Sequence, residues 1–379
     1  MTSMASPCIS VCRMDPESGL CEGCLRNIDE IASWGSLSED ARRNVLAALK
    51  TRRVSPKSAQ QPRPRELCEA ASHAAWPAAL RFIQRDWLSS NSVLVLDEQK
   101  GATLFDSGYV KHARNSREQI AHMLEGMRLS RLINTHLHSD HCGANALLQQ
   151  SFGCEIWIPS GSWQAAIDWD EDALIYSATG QRCQRFLPQK SLEPGERIQT
   201  AGLTWEVHAA PGHDPKSLVF FEASERLLIS ADVLWAEGFG VIFPELEGES
   251  GFDEQEAMLD LIAFMQPRWV FPGHGPAFSD LDQALASARK RLSAMRSDPG
   301  KHARHALKVL VKFLMLDLEW AEVDAFHAHL GRARLLKDCA KRMNMDPDQA
   351  LSWVIDDLIA QEQLRREGSV LINHQRKAA

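Results

Sequence analysis

The 379-residue sequence lacks any apolar run long enough for a membrane-spanning helix, and no membrane contact is expected. Its first twenty residues have neither a basic start nor an apolar middle, so there is no secretory pattern. We therefore expect a cytoplasmic protein whose nine cysteines stay reduced. Basic charge is also scarce, because 42 Lys and Arg stand against 50 Asp and Glu. This acidic balance is a poor match for a nucleic-acid backbone.

A polar stretch that contains several prolines helps to divide the chain into four predicted segments. The stretch TRRVSPKSAQQPRPRE at 51–66 is almost free of large apolar residues, which is typical of a linker. A chain of this length is also longer than a domain with a single hydrophobic core usually is. We expect a small module at 1–53, a linker at 54–66, a catalytic domain at 67–285 and a helical domain at 286–379.

Short strand-like and helix-like segments alternate through the central domain. The strand-like segments are SVLVLD, TLFD, LINT, EIWIP, TWEVHAAP, LVFFE, RLLIS and RWVFP, which begin at residues 92, 103, 132, 155, 204, 218, 226 and 268. Helical periodicity over 116–127 and 254–265 separates several of them. This alternation predicts a layered α/β domain.

The densest group of ligand-type residues is THLHSDH at 135–141, directly after a predicted strand. His136 and His138 project from the same side of an extended segment, and Asp140 and His141 fall where a helix would begin. A divalent cation would explain why these imidazoles are so close together, because neutral histidine nitrogens and carboxylate oxygens are ligands of Zn, Mn and Fe. The cluster therefore predicts a metal site.

Three further ligand-type residues follow strand-like or loop-like segments downstream. His213 lies in APGHDP, Asp232 in ISADVLW and His274 in FPGHGP. Each is weak alone, since a histidine beside proline and glycine is commonly a turn residue. Together with the HLHSDH cluster, they complete two coordination shells.

This order of residues resembles the metallo-β-lactamase-fold metallohydrolases over about residues 67–285. The resemblance implies an αββα sandwich with two divalent ions at one edge, zinc first, with manganese or iron as alternatives. The implied ligands are, for one ion, His136, His138 and His213, for the other, Asp140, His141 and His274, and for both, Asp232. Asp106, in TLFDSGY, matches the family's early aspartate, which supports the loop without binding metal.

Two such metals imply hydrolysis, because a water shared by both cations is activated to hydroxide near neutral pH. We assign the catalytic roles to Asp140, His141 and Asp232. The predicted substrate is a small ester, thioester or lactone, and phosphodiester cleavage in nucleic acid is the alternative. Persulfide oxidation at a single iron ranks third, since it would leave His141 and His274 without a metal.

Departures from related patterns narrow the subfamily. Two-zinc β-lactamases of the family carry cysteine where this chain has Asp232, and flavo-diiron proteins usually carry glutamate at the position of His138. Cys142, beside His141, is interpreted as a small buried residue and not as a ligand. The segment VLWAEGFGVIFPELEG lacks the arginine, lysine and asparagine pattern of a glutathione thioester site, which counts against glyoxalase II activity.

Aromatic residues near the ligands predict a substrate-binding wall. The segment 162–186 is rich in Trp, Asp and Arg for a connector and contains Tyr176. Trp235 and Phe239 closely follow the bridging aspartate. These rings would select an apolar acyl or lactone group, and the alternative is that they only pack the loop against the sheet.

A second constellation, SPCISVCRMDPESGLCEGC, brings together Cys8, Cys12, Cys21 and Cys24. Four thiolates at this spacing suit one tetrahedral zinc or a small iron-sulfur cluster, and the spacing does not separate the two. The segment resembles a small uncharacterised bacterial domain family with four cysteines and a helix-forming tail. Because so short a chain buries little apolar surface, metal binding would supply the missing stability.

The C-terminal residues 286–379 look like a winged-helix module, with helical segments followed by the predicted two-strand wing LRREGSVLINH. Such modules suggest nucleic acid, but the last helix carries acidic residues, Asp348 and Asp356 among them, that phosphate would repel. Packing or a homodimer contact is the preferred role. The expected partner of the whole chain is a small-molecule substrate.

Overall fold

The computed structural model describes residues 20–21, 24–27, 30–31, 39–52 and 76–374. The chain divides into two compact units, Met1–Leu67 and Cys68–Ala379. Within the described ranges, none of the helices combines the length and the apolar character needed to cross a bilayer.

In the first unit, one helix is tied to the preceding loop. Helix α1 (Glu39–Arg52) ends at Arg52, whose guanidinium donates to Glu30 Oε2 at 2.7 Å and to the carbonyl oxygen of Leu25 at 2.9 Å. These bonds hold the end of the helix against the loop of the cysteine-rich segment. The predicted linker at 54–66 lies outside the described residues.

The second unit is built on two β-sheets. The strands of the first sheet are β1 (Leu80–Ile83), β2 (Ser92–Val95), β3 (Ala102–Phe105), β4 (Leu129–Ile133), β5 (Glu155–Pro159) and β6 (Lys190–Leu192). They pair in that order, antiparallel from β1 to β3 and parallel from β3 to β6. The strands of the second sheet are β7 (Arg197–Thr200), β8 (Leu203–Ala209), β9 (Leu218–Glu222), β10 (Leu227–Ala231) and β11 (Trp269–Pro272). Their order is β11-β10-β9-β8-β7, and β10 pairs in parallel with β11.

Helices connect and follow the strands of these two sheets. They are α2 (Ala113–Met123), α3 (Ser139–Cys142), α4 (Asn145–Phe152), α5 (Trp163–Asp168), α6 (Tyr176–Thr179), α7 (Phe243–Glu247), α8 (Phe252–Met265) and α9 (Leu281–Ser297), with 3-10 turns at Val110–His112 and Ser160–Ser162. Apolar side chains of α2 and α4 pack on the first sheet, and those of α8 and α9 pack on the second.

The inner faces of the two sheets meet in a core of aromatic and branched side chains. Phe105 of the first sheet contacts Trp205 and Phe220 of the second, with ring centroids 5.6 and 5.0 Å apart. Burying such large rings away from water is the main stabilising contribution to a sandwich of this kind. The order helix, sheet, sheet, helix is the αββα sandwich, which confirms the predicted α/β fold class.

The predicted elements are confirmed where the periodicity is strong. The eight predicted strands coincide with β2 to β5 and β8 to β11, and the two predicted helices overlap α2 and α8. Strands β1, β6 and β7 were not predicted. They are only three or four residues long, and their sequences, LRFI, KSL and RIQT, have little apolar periodicity of their own.

The C-terminal part contains helices and a small third sheet. Its elements are α10 (Pro299–Leu318), β12 (Trp320–Glu322), α11 (Val323–Leu330), α12 (Arg334–Arg342), α13 (Pro347–Ala360), β13 (Leu364–Glu367) and β14 (Val370–Asn373). The predicted two-strand wing is the antiparallel pair β13 and β14, and β12 adds to it in the order β12-β14-β13. The winged-helix assignment and the boundary at residue 286 remain predictions.

A buried aspartate joins the last turn of α10 to the sandwich. Asp317 accepts hydrogen bonds from the hydroxyl of Tyr109 at 2.9 Å and from the guanidinium of Arg182 at 2.7 Å. Lys111 donates to the main-chain oxygen of Asp317 at 2.8 Å. The segment around Arg182 is thereby held between the sandwich and the C-terminal helices.

Candidate metal centre

The ligand-type residues follow strands that end at the same edge of their sheet. Strands β3 and β4 are parallel, as are β10 and β11, and β8 runs in the direction of β10 because both are antiparallel to β9. Loops that follow strands of one direction open at one edge, which is where sites of open sheets are usually found. The loops after β4, β8, β10 and β11 carry the predicted ligands.

Three buried histidines form the first group. Each of His136, His138 and His213 offers one ring nitrogen, and these nitrogens lie within 4.8 Å of one another. His213 Nε2 is 2.8 Å from His138 Nδ1, and the other nitrogen of His213 lies 2.5 Å from the carbonyl oxygen of Val241, which fixes the ring. Among the described residues, His136 Nε2 has no hydrogen-bond partner although it is fully buried.

The second group combines two carboxylates with two histidines. The ligand atoms of Asp140, His141, Asp232 and His274 lie within 4.8 Å of one another. His274 Nε2 is 3.1 Å from Asp140 Oδ2, and His141 Nε2 is 3.3 Å from Asp232 Oδ1. The structure thus brings all seven predicted ligands into two neighbouring groups.

Asp232 lies between the groups. One carboxylate oxygen faces His141, and the other is 3.5 Å from His213 Nε2 of the first group. This is the placement that a bridging ligand requires. A glycine at position 273 makes room for it, because a Cβ there would overlap Asp232 Oδ1 and come within 3.0 Å of His141 Cε1.

Asp106 supports the ligand turn from behind. It follows β3 with a φ of 56°, a backbone conformation that aspartate tolerates better than most side chains. Its carboxylate accepts hydrogen bonds from the amide of Thr135 at 2.9 Å and from the hydroxyl of Thr135 at 2.8 Å. Asp106 Oδ2 also lies 2.8 Å from His141 Nδ1, so the carboxylate orients the imidazole whose other nitrogen faces Asp232.

Burial keeps the first group in the form that binds metal. It lowers the pKa of His138 and of His213 to about 4, and burial together with the neighbouring imidazoles holds the pKa of His136 well below its ordinary value. Neutral imidazole is the ligand form of histidine. For His141, burial acts against protonation, but the surrounding carboxylates, Asp232 foremost, outweigh it and raise the pKa well above the ordinary value.

These features fit a pair of divalent cations. The first group offers three neutral nitrogens, one of them without a hydrogen-bond partner within the described part of the chain. The second offers two carboxylates that burial in a protein would disfavour without a positive charge nearby. Nitrogen and oxygen donors of this kind suit zinc, manganese and iron.

The predicted substrate residues are placed unequally. Tyr176 is buried, and its hydroxyl donates to the carbonyl oxygen of Leu137 at 2.9 Å. Phe239 is fully buried in the core under α8 and α9. Trp235 lies at the rim of the site, with its ring centroid 5.3 Å from that of His274. A substrate contact therefore remains a proposal for Trp235. Tyr176 and Phe239 are buried, so any influence of these two rings on a substrate would be indirect.

Trp87 is a residue of the rim that the sequence analysis missed. Its ring is stacked on His274 at 5.4 Å with an interplanar angle of 10°, and it contacts Trp235 edge-on at 5.4 Å. The side chain is 61% exposed, which is unusual for tryptophan. Trp87 precedes the first predicted strand in a segment without a ligand-type pattern, so its only signal was a large ring in a loop.

A cavity of about 410 Å³ opens beside the first group. Its wall includes His138 and His213 and is completed by Leu137, Ser162, Asp172, Ala173, Leu174, Ile175, Asp214, Pro215, Lys216, Phe243, Pro244, Glu247, Glu249 and Arg334. Arg334 is paired with Glu247 by a salt bridge. The cavity has the volume of a small-molecule site, and its wall is formed by loops from both sheets and by the start of α12.

Two of the four N-terminal cysteines can be described. Cys21 and Cys24 are both buried, and Arg26 Nε donates to Cys24 Sγ at 3.2 Å. Burial acts against ionisation of the thiol, but the hydrogen bonds from Arg26 outweigh it and lower the pKa of Cys24 below its ordinary value. A thiolate is the ligand form of cysteine. Cys8 and Cys12 lie outside the described residues.

Two known protein families match parts of this chain. Residues 85–290 match the metallo-beta-lactamase superfamily, and residues 6–53 match a protein family of unknown function, DUF1289. The chain belongs to the metallo-β-lactamase superfamily.

The curated relatives are bacterial enzymes. Hydroxyacylglutathione hydrolase GloC of Haemophilus influenzae is 29% identical over 161 residues, which cover 40% of this chain and 69% of the relative. Hydroxyacylglutathione hydrolase of Pseudomonas aeruginosa is 30% identical over 160 residues, covering 42% of this chain and 52% of the relative. The chain thus spans only about half the length of several curated relatives that it matches.

Similar solved structures include a metallo-beta-lactamase family protein from Thermus thermophilus, which is 17% identical with a TM-score of 0.46. That match covers 78% of this chain and 98% of the other. The BLEG-1 B3 metallo-beta-lactamase is 22% identical with a TM-score of 0.45, covering 55% and 96%.

Proposed function

We propose that this chain is a dinuclear metal-dependent hydrolase that cleaves a small thioester. The observation that carries the proposal is the position of Asp232 between two groups of ligand atoms. The proposed ligands are, for the first ion, His136, His138 and His213, for the second, Asp140, His141 and His274, and for both, Asp232.

When bound, two divalent cations at these groups would lower the pKa of a shared water and polarise the carbonyl of the substrate. The chain's own residues prepare for this. Asp106 holds the His141 ring toward Asp232, and the carbonyl oxygen of Val241 fixes the His213 ring. Because six of the seven proposed ligands are buried and Asp140 is half-buried, little water competes with the reacting groups, and each electrostatic interaction is stronger than at a surface.

The cavity beside the first group is the proposed binding site for the substrate. Its volume suits a small acyl compound, and its apolar wall includes Leu174 and Phe243. Lys216 supplies a positive charge on a wall that also carries several carboxylates, so it would pair with one carboxylate of the thiol carrier. The Trp87 and Trp235 rings lie beside His274 of the second group and are not among the residues of the cavity wall.

Glutathione is the thiol carrier that the names of the relatives suggest. The segment after Asp232 lacks the polar pattern expected for that ligand. We therefore propose the thioester as the substrate class and a hydroxyacyl glutathione thioester as its first candidate. Nucleic acid ranks lower, because the acidic side chains of Asp172, Asp214 and Glu249 on the cavity wall would repel phosphate.

The test is a substrate panel with the metal-loaded full chain. The panel contains a hydroxyacyl glutathione thioester, an acyl thioester of a shorter thiol, a lactone and a labelled RNA. We expect thioester cleavage, and a loss of at least about 100-fold in kcat/KM for Asp232→Asn, since even residues behind the ligands contribute about 10- to 100-fold. Asp282→Asn makes the same chemical change at an exposed position of α9, outside the cavity wall, and should retain the activity. Cleavage of RNA alone, abolished by Asp232→Asn, would overturn the proposal.

A further inference from the structure

Two thiols lie side by side next to the turn that carries the ligands. Cys142 is the last residue of α3, directly after His141, and Cys183 lies in the segment that follows α6. Their Sγ atoms are 3.7 Å apart. Since a disulfide bond is about 2.05 Å long, the sulfurs would have to approach by roughly 1.7 Å to form one.

The two thiols differ in their access to solvent. Cys142 is fully buried, whereas Cys183 is partly exposed. An oxidant in solution therefore meets Cys183 first, and Cys142 lies in position to resolve the oxidised sulfur. Neither thiol belongs to the two groups of ligands.

The buried thiol is part of the packing that shapes the ligand turn. Cys142 Sγ lies 3.3 Å from the carbonyl oxygen of His138 and 3.5 Å from that of Leu137. The hydroxyl of Tyr176 lies 3.1 Å from the same sulfur and donates to the carbonyl oxygen of Leu137. Movement of this sulfur toward Cys183 would disturb these contacts and shift the backbone of the turn.

The segment that carries the exposed thiol is held in place. Arg182, the residue before Cys183, donates to the buried carboxylate of Asp317 at 2.7 Å. Gln181 is hydrogen-bonded to the hydroxyl of Ser139, the first residue of α3. Because this side is anchored on α10, closure of a disulfide would have to be accommodated largely by the ligand turn.

We propose that Cys142 and Cys183 form a peroxide-sensitive dithiol whose oxidation distorts the ligand turn and weakens metal binding. The Cys183 thiolate attacks a peroxide, an S–O bond forms, the O–O bond breaks, and the released hydroxide takes up a proton to become water. The Cys142 sulfur then attacks the sulfenic acid, an S–S bond forms, and the S–O bond breaks with loss of a second water. Two thiols lose two electrons, and hydrogen peroxide is reduced to two waters.

The loss of hydrolysis on oxidation rests on the proposed function, but the disulfide and the metal release do not. The metal-loaded full chain is treated with hydrogen peroxide, alkylated and digested, and the peptides are identified by mass spectrometry. We expect a linked Cys142 and Cys183 pair that lacks two hydrogen atoms and is separated by dithiothreitol. Metal released to a coloured chelator and residual thioesterase activity are measured on the same samples.

Matched variants separate this effect from oxidation of the N-terminal cysteines. Cys183→Ser keeps those cysteines, so metal that wild type releases in excess of Cys183→Ser reports on the pair alone. We expect this excess, together with a fall in metal affinity on the order of tenfold that dithiothreitol reverses. Cys339→Ala removes a buried thiol elsewhere and should respond like wild type.

Three results would overturn the proposal: no linked peptide in wild type, equal metal release from wild type and Cys183→Ser, or a disulfide that leaves metal affinity unchanged. The linked peptide is sought in wild type, so it does not depend on the folding of a variant. A chain that cleaves no thioester but forms the disulfide and releases metal would contradict the proposed function and leave this inference standing.

Discussion

At the scale of single residues, the site depends on side chains that hold the proposed ligands in position. Asp106 is the leading case, because one carboxylate contacts both the backbone before the ligand turn and the His141 ring. The sequence analysis assigned this support to Asp106 by resemblance. The positive φ of the residue explains why the strand must end there and let the carboxylate turn toward the loop.

We predict that Asp106→Asn weakens metal binding by about 10- to 100-fold, since an amide in place of the carboxylate would no longer stabilise the His141 imidazole in its ligand orientation. Competition with a chelator of known affinity measures the effect. Asp97→Asn is the matched control, because Asp97 is another buried, hydrogen-bonded aspartate, which caps the Gln99 and Ala201 amides. If both variants lose metal equally, the effect is one of general destabilisation and the role of Asp106 is wrong.

At the scale of elements, the turn after β11 decides how closely the two sheets bring their ligands together. Gly273 lies against Asp232 and His141, and its carbonyl oxygen accepts a hydrogen bond from the amide of Asn91. The side-chain amide of Asn91 donates to the carbonyl oxygens of Pro272 and Gly275. This turn is thus fixed from both sides, and His274 is presented at its centre.

We predict that Gly273→Ala displaces the bridging carboxylate and removes at least one metal equivalent, because the added methyl group would overlap Asp232 Oδ1. Elemental analysis of the purified variant measures the loss. Gly275→Ala is the control on the same turn: its Cβ would meet no atom within 4 Å, and the positive φ of 83° should cost only about 1–2 kcal/mol of stability. Full metal content in Gly273→Ala would contradict the bridging role of Asp232.

At the scale of the whole molecule, the chain contains two separate sets of predicted metal ligands. The cysteine module belongs to the unit Met1–Leu67, and the histidine and aspartate groups belong to Cys68–Ala379. Arg26 lowers the pKa of the Cys24 thiol, which favours the ligand form, and a zinc ion or an iron-sulfur cluster at the module remains a prediction. A homodimer and a cytoplasmic location remain predictions.

We predict that Cys24→Ser lowers the metal content by the share of the cysteine module and leaves thioester hydrolysis within about twofold of wild type, since its thiolate is a proposed ligand of that site alone. Metal content per chain and kcat/KM on the same preparation test this. Cys154→Ser, which alters a buried cysteine outside both sets, should keep every metal. Loss of hydrolysis in Cys24→Ser alone would show that the two sets are coupled.

Much of the fold and nearly all of the metal site follow from local patterns. Apolar runs of four to seven residues predict the central strands, because a strand buried on both faces needs apolar side chains along its whole length. The HLHSDH loop predicts a cation site, since three closely spaced imidazoles and a carboxylate are ligands of divalent metals. The short edge strands β1, β6 and β7 were not predicted, because they are held in place by backbone pairing with a neighbouring strand. Such pairing leaves no pattern in the local sequence.

Contacts between residues that are distant in the sequence were shown only by the tertiary structure. Trp87 stacks on His274, and Cys142 meets Cys183, although neither pair shares a motif. The burial of Tyr176 and Phe239 was likewise shown only by the tertiary structure, since an aromatic ring suits a pocket and a core equally well. Metal ligands can be recognised along the sequence, because the ability to bind a metal is a chemical property of single residues. Contacts between distant residues depend instead on how the two sheets and their loops pack against each other.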